Sequence, residues 1–223
     1  MSVKMELKEI SKEELKEKLE LHRKWLNDEE GGVKLDLRNT NLTNIDLRCT
    51  DLRYADLSYA DLSCANLKYV NLIHADLKGV DLEGTDLSYA DLRYSYLGYA
   101  DLSYADLRCA DLRYADLNNS DLTNSDLRYA NLINANLSKT KFYLTNLYKT
   151  KGDFVGVENI GSRNDTTHYL YNDNRIICGC FNGTMEEFKN EVKETYEESS
   201  KEYKQYMIAI DTLKKLAELE GEE

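Results

Sequence analysis

The chain has 223 residues, of which 42% are apolar and 31% are charged, so it is long enough for one or two domains with a buried core. Its formal net charge of -12 disfavours direct binding to nucleic acid or to an anionic membrane surface, and it leaves basic protein partners open. No apolar run approaches the roughly 20 residues of a membrane span, and the first residues lack the apolar core of a signal peptide. We therefore expect a cytoplasmic protein without a membrane partner.

The first predicted element is a capping helix within residues 1–33. Ser11 and Glu14 have the spacing of a capping box, and Gly31 and Gly32 follow the helix. Between them an apolar stripe recurs at helical spacing as far as about Asn27, formed by Leu15, Leu19, His22 and Leu26. We expect this helix to cover the open end of the next element, with His22 packed in the cap rather than binding a ligand.

A five-residue periodicity occupies residues 34–150. Every fifth residue from Leu37 to Leu147 is leucine, except Phe142. Neither an α-helix, which turns by about 140° over five residues, nor a flat strand brings all these side chains to one side. The chain must turn a corner at each unit so that the leucines converge on one axis. We expect this core to include Leu57, Leu62, Leu67, Leu72, Leu107 and Leu112.

The other positions of each unit suit a tight coil. The residue two places before each leucine is small in most units and must share the interior, whereas the residue directly before it is nearly always Asp or Asn and points outward. Two places after the leucine, Asn39 and Gly79 suit the positive φ of a type II turn, and for tyrosine at this position we predict a different, more open turn. The chain has no proline, as expected where stacked coils need every backbone donor.

Units such as Ala55–Tyr59 and Ala105–Cys109 resemble the pentapeptide-repeat family, and the resemblance covers residues 35–149. It implies an all-β solenoid, a right-handed quadrilateral β-helix with four units per coil. At about 20 residues per coil, residues 34–150 would form about six coils.

Residues 151–223 form a predicted third region, in which the five-residue register fails at Gly152. We predict a β-hairpin that pairs Thr167–Tyr171 with Arg175–Cys180. A second capping box, Thr184–Glu187, begins a helix, and a last helix follows Ser199 and Ser200. Its apolar stripe packs within the chain or pairs two chains in a homodimer through the C-terminal helices; both interpretations stay open. The stripe contains Tyr203, Met207, Ile210, Leu213 and Ala217.

Because four units make one coil, every fourth unit lies on the same face. One face carries no Lys or Arg before Lys141, and we predict that it binds a partner through Asp61, Asp81, Glu83, Asp101 and Asp121. On the faces through Leu47 and Leu52, Arg or Lys side chains nearly cancel the aspartates, and the remaining face, through Leu57, is mildly acidic. Two interpretations remain: the acidic face is functional, or aspartate only serves the turns of the repeat.

Tyrosine occupies the outward position two places after leucine in nine units. Because equivalent positions are stacked one coil apart, we predict that Tyr69 lies over Tyr89 and Tyr94 over Tyr114. Tyrosine is enriched at protein interfaces, and stacked rings also stabilise a coil, so these columns have either role.

A filled solenoid has no cavity in which polar groups converge, so we do not expect an enzyme, and no residue pattern indicates a cofactor or a metal. Cys178 and Cys180 lack the second pair that a zinc site needs. We predict a non-catalytic scaffold that presents an acidic, tyrosine-rich surface to a protein partner. The family resemblance adds an alternative, since its quinolone-resistance members are understood as duplex mimics that occupy the DNA groove of gyrase. A phage-type anti-defence protein is a third candidate, because residues 178–184 resemble the tails of phage and prophage members.

Overall fold

The computed structural model describes residues 6–147, 149–152, 155–160, 165–170, 174–178 and 181–220. The chain divides into two compact units. The first comprises Met1–Lys141 and Thr145–Gly152, and the second comprises Phe142–Leu144 and Asp153–Glu223. The first contains a helix and a solenoid, and the second contains a sheet and two helices.

In the first unit the chain winds as a β-solenoid with a period of 20 residues. Parallel bridges join the residue before each leucine to its equivalent twenty residues on, from the Asp36–Asp56 pair to the Asp126–Asn146 pair. Strand β1 (Asn131–Leu132) pairs in the same way with β2 (Lys151–Gly152). Four five-residue units therefore make each coil, and isolated bridges rather than continuous strands hold neighbouring coils together.

The leucine column fills the inside of the solenoid. No side chain of the column from Leu37 to Leu147 is more than 8% exposed, and the six leucines named above are all buried. Each buried leucine contributes roughly 1.5–3 kcal/mol before chain entropy is subtracted. The small residues two places earlier share the core, and several of the polar ones use backbone acceptors, as when Thr85 Oγ1 donates to the Leu62 carbonyl at 2.8 Å.

Each corner is a tight turn, closed for example by the Ala55 N–H donating to the Leu52 carbonyl at 3.1 Å. The residue two places after leucine has a positive φ at tyrosine as well as at Asn and Gly, with 63° at Tyr54 and 59° at Tyr94. The prediction of a more open turn at tyrosine is therefore wrong. The left-handed conformation costs an L-residue roughly 1–2 kcal/mol, and the coil enforces it because the turn N–H bonds to the next coil. The N–H of Tyr54 donates to the Ile73 carbonyl at 3.0 Å.

The Asp or Asn before each leucine stabilises the same turn. Asp81 Oδ1 accepts the N–H of Glu83 at 3.0 Å, and Asn71 Oδ1 accepts the N–H of Ile73 at 3.2 Å. Because both side chains make this bond, the bond depends on a side-chain oxygen at this position and not on a charge.

Helix α1 (Lys12–Leu26) packs on the first coil. It begins at Ser11, whose side chain accepts the N–H of Glu14 at 3.1 Å. His22 is fully buried, and its Nδ1 accepts the N–H of Leu35 at 3.1 Å. Burial lowers the pKa of His22, which fits the predicted role as a packed cap residue. Ahead of the helix, Lys8 pairs with Thr40 and extends the edge of the first coil.

The second unit contains a four-stranded antiparallel sheet of β3 (Val155–Ile160), β4 (Asp165–Leu170), β5 (Arg175–Cys178) and β6 (Phe181–Thr184) in this order. The predicted hairpin corresponds to β4 and β5, in which Thr167 pairs with Cys178. Its predicted ends at Tyr171, Gly179 and Cys180 lie outside the described residues.

Helices α2 (Met185–Thr195) and α3 (Lys201–Glu220) complete this unit. The predicted capping box at Thr184 and Glu187 is confirmed. Ile210 and Leu213 of the α3 stripe are buried in one cluster with Ile176 and Val192, so packing within the chain accounts for them. A homodimer through the C-terminal helices stays a prediction. In the part of the chain that the structure describes, no helix has the length and apolar character needed to cross a membrane.

Candidate interaction surfaces

The acidic face runs along the solenoid as a ladder of carboxylates. Asp61, Asp81, Asp101 and Asp121 lie in successive coils, and parallel bridges join each to the next. Paired strands are about 4.8 Å apart, so the carboxylates repeat at about this spacing. Glu83 lies two residues from Asp81 and is exposed. The structure therefore brings the five predicted residues to one side of the solenoid.

Like charges repel along this ladder. Burial raises the pKa of Asp81, and Asp61 and Asp101 on either side raise it further. At one end, Lys141 Nζ donates to Asp121 Oδ2 at 2.8 Å. Burial opposes the ionisation of Asp121, but this hydrogen bond and those from Thr123 outweigh burial and lower its pKa. Among the described residues, no Lys or Arg forms an ion pair with Asp61, Asp81 or Asp101.

The turns hold these carboxylates in defined orientations. Asp61 Oδ1 accepts the Ser63 N–H at 3.0 Å and the Ser63 hydroxyl at 2.6 Å, and Asp101 makes the same two bonds with Ser103. Oδ2 takes no part in these bonds. The carboxylates are thus ordered before any partner arrives, which reduces the entropy lost on binding.

On the faces through Leu47 and Leu52, arginine neutralises most of the aspartates, and on the face through Leu37 it does so in the first coils only. Each arginine that follows a leucine of the repeat bonds to the aspartate two residues before it, as Arg128 Nη2 does to Asp126 Oδ2 at 2.6 Å. The other six are Arg38, Arg48, Arg53, Arg93, Arg108 and Arg113. The acidic face has no arginine at the corresponding positions. It therefore differs from the other faces in charge and not in backbone.

The tyrosines form two stacked columns at the corners of the solenoid. One contains His74, Tyr94 and Tyr114, with neighbouring ring centroids 4.9 and 4.8 Å apart, and Tyr54 extends it. In the other column, Tyr69 stacks on Tyr89 at 5.0 Å. Both stacks predicted from the sequence are confirmed.

These two columns border the side of the solenoid through Leu52, Leu72, Leu92, Leu112 and Leu132, which we call the aromatic face. This face lies two units from the acidic face in every coil and thus on the opposite side. Tyr59, Tyr99 and Tyr104 are the tyrosines at the turns that border the carboxylate ladder. The acidic, tyrosine-rich surface expected from the sequence is therefore divided between two opposite sides.

Two members of the first column were not anticipated. His74 occupies a tyrosine position of the repeat, so the 20-residue period was a usable signal for its place between Tyr54 and Tyr94. Trp25 contacts Tyr54 edge to face at a centroid distance of 6.2 Å. It lies on α1, outside the repeat, and no periodic signal marks it.

The three histidines lie on different elements of the chain. His22 lies in α1, His74 at a solenoid corner and His168 in β4. Burial lowers the pKa of His168 to about 4, so this side chain is neutral at pH 7. Within the described ranges, no group of three or more His, Cys, Asp or Glu side chains is placed to hold a metal ion.

Comparison with known proteins identifies the repeat. The sequence matches the family described as "Pentapeptide repeats" in eight copies, over residues 35–68, 65–103 and 105–142. No curated protein matches the chain.

Solved structures of pentapeptide repeat proteins also match. Rfr23 from the cyanobacterium Cyanothece 51142 is 26% identical over 60% of this chain and 92% of its own, with a TM-score of 0.37. The protein alr5209 from Nostoc Pcc 7120 is 34% identical over 44% of this chain and 79% of its own, with a TM-score of 0.24. QnrB1, a plasmid-mediated fluoroquinolone resistance protein, is 16% identical over 54% of this chain and 80% of its own, with a TM-score of 0.33.

Proposed function

Since the solenoid of this chain belongs to the pentapeptide-repeat family, we propose that the protein is a non-catalytic, cytoplasmic interaction scaffold whose acidic face binds a protein partner. The solenoid that carries this face would be a right-handed quadrilateral β-helix of about six coils. The ladder of Asp61, Asp81 and Asp101 is the observation that supports the proposal most directly, because these carboxylates repel one another and, within the described ranges, form no ion pair with Lys or Arg.

A basic surface is the partner that the ladder fits. Burial and the repulsion from Asp61 and Asp101 raise the pKa of Asp81; Lys or Arg side chains of a partner would relieve that repulsion, and the attraction would also accelerate association. The regular spacing of the carboxylates and their fixed orientations favour a rigid array of cations over a single one. Binding of this kind weakens as salt is added.

The test neutralises the ladder without disturbing the turns. In other units of the repeat the equivalent position is Asn, as at Asn66 and Asn71, and these side chains accept the same turn N–H. We therefore expect the triple variant Asp61→Asn, Asp81→Asn, Asp101→Asn to fold normally and to lose salt-sensitive partners in pull-downs from cell extract at low and high salt.

The matched control is the triple variant Asp56→Asn, Asp76→Asn, Asp116→Asn on another face, which changes the net charge equally. It should retain the partners that the wild-type chain captures. Equal capture by the ladder variant and the wild-type chain would contradict the proposal.

A duplex mimic that inhibits or protects a DNA-binding enzyme such as gyrase is a second candidate. The even spacing of the carboxylates favours it, although three steps of the ladder span about 14 Å with five charges, where duplex DNA carries about eight. On this hypothesis the protein inhibits gyrase supercoiling at micromolar concentration, duplex DNA competes with it, and Asp61→Lys with Asp101→Lys abolishes the effect. Unchanged supercoiling would exclude gyrase as the target of the acidic face and leave other basic partners possible.

A further inference from the structure

The aromatic face combines exposed aromatic rings with paired charges. Tyr94 and Tyr114 remain 42% and 48% exposed although they are stacked, and Tyr69 and Tyr89 on the opposite border are about half exposed. Contiguous exposed aromatic surface on a folded protein marks an interaction site. Tyrosine and arginine are also the side chains that dominate binding energy at protein interfaces.

Across this face the side chains lie in four parallel rows. The column of Tyr69 and Tyr89 forms one border, and the column of Tyr54, His74, Tyr94 and Tyr114 forms the other. Between them run a row of aspartates next to the first column and a row of arginines next to the second. The aspartates are Asp51, Asp91 and Asp111, and the arginines are Arg53, Arg93 and Arg113.

The two central rows neutralise each other. Arg113 Nε and Nη2 donate to the two carboxylate oxygens of Asp111 at 2.8 and 2.6 Å, and Arg93 binds Asp91 in the same bidentate way at 2.8 and 2.7 Å. Two chains that each carry a net charge of -12 repel, and a face whose charge is balanced opposes their approach least.

We propose that two copies of this chain associate through the aromatic face, about a two-fold axis parallel to the solenoid axis. This axis reverses the order of the four rows. The arginine row of each copy then faces the aspartate row of the other at the same level, and the two tyrosine columns face each other. A two-fold interface requires a self-complementary surface of this kind. The acidic face does not meet this condition, because the row that would face its aspartates holds Ser63, Glu83, Ser103 and Thr123 and no cation.

This association is independent of the proposed function. It leaves the acidic face of both copies directed outward, so partner binding and self-association are measured separately. It also differs from pairing through the C-terminal helices, whose Ile210 and Leu213 are already buried within their own unit.

The test adds charge to the aromatic face at positions that accept lysine. Lys139 and Lys149 occupy the same turn position as the tyrosines, with φ values of 58° and 54°, so lysine is compatible with this turn. The variant Tyr94→Lys, Tyr114→Lys places two cations beside the arginine row. The control Tyr99→Lys, Tyr104→Lys makes the same change at turns that border the acidic face.

Sedimentation equilibrium of the full chain over a range of concentrations gives the result. We expect the wild-type mass to rise from 25.8 kDa towards twice this value, and the association to strengthen with salt as the net repulsion is screened. The Tyr94→Lys, Tyr114→Lys variant should associate at least about tenfold more weakly, and the control within about twofold of wild type. Thermal unfolding of each variant checks that it is folded.

A wild-type chain that stays monomeric at millimolar concentration would overturn the proposal. So would association that persists in the folded Tyr94→Lys, Tyr114→Lys variant, which would point to another surface such as the C-terminal helices. Equal weakening in both double variants would also overturn it, because the effect would then follow the added charge rather than the face.

Discussion

The acidic face and the aromatic face have the same backbone and differ in the outward residue that follows each leucine. On the acidic face the residue after each leucine is Thr, Ser or Glu, and on the aromatic face it is Arg or Ile. This difference decides whether the turn aspartate keeps its charge or is neutralised by a neighbour. Two opposite sides of one solenoid therefore reach different electrostatic states through substitutions that do not change the fold.

The largest expected effect is common to both faces. Leu82→Ala, beneath the acidic face, and Leu92→Ala, beneath the aromatic face, each remove a fully buried side chain. We expect both to lower the free energy of unfolding by about 2–5 kcal/mol, measured by denaturant titration. A large difference between them would show that the two sides of the core are not equivalent, contrary to the repeat.

The next largest effect is a loss of stability on truncating a tyrosine, which we expect to be greater at the aromatic face than at the acidic face. Tyr94 stacks on His74 and on Tyr114, whereas Tyr99, near the acidic face, is 62% exposed. Tyr94→Ala should therefore lower the free energy of unfolding by about 1–2 kcal/mol, and Tyr99→Ala by less than about 0.5 kcal/mol. The same denaturant titration measures both, and equal losses would mean that stacking contributes little.

Acid should affect Asp81 of the acidic face and Asp111 of the aromatic face in opposite directions. Burial and its neighbours raise the pKa of Asp81 above 3.8, so the folded state takes up a proton first and the repulsion is relieved as the pH falls. Burial opposes ionisation of Asp111 too, but Arg113 outweighs burial and lowers the pKa of Asp111 below 3.8. The stabilisation by Asp111 is complete above that value and is lost as the pH falls through the lowered pKa.

The matched variants Asp81→Asn and Asp111→Asn test this difference. At pH 7 we expect Asp81→Asn to raise the free energy of unfolding by a few tenths of a kcal/mol and Asp111→Asn to lower it by up to about 1 kcal/mol. Both differences from wild type should shrink in titrations at about pH 2.5. Destabilisation by both variants at pH 7 would contradict the assigned repulsion.

The smallest effect concerns the end of the ladder. Lys141→Ala removes the cation that binds Asp121, and it should lower the free energy of unfolding by about 0.2–1 kcal/mol at low salt. The loss should disappear at high salt because the ion pair is exposed to screening. Lys78→Ala, on another face, is the control for loss of a surface lysine.

The features that repeat could be predicted from the sequence, and the features that depend on a single tertiary contact could not. The leucine spacing indicated a corner at each unit, the family resemblance implied four units per coil, and the two together assigned Asp81 and Tyr94 to their faces. The turn at Tyr54 was predicted wrongly because tyrosine has no local preference for positive φ; hydrogen bonds to the next coil impose it. Trp25 joins the aromatic column only through the way α1 packs on the first coil.

The bond from the turn N–H to the residue before each leucine has an evolutionary consequence. Because Asp81 and Asn71 make the same bond, one face can gain or lose a unit of charge through a single exchange while the turn remains intact. Mutation can thus adjust the electrostatic pattern of the exterior in small increments without passing through unfolded intermediates. A protein whose partner changes during evolution would retain the fold of the solenoid and change only its outward charged residues.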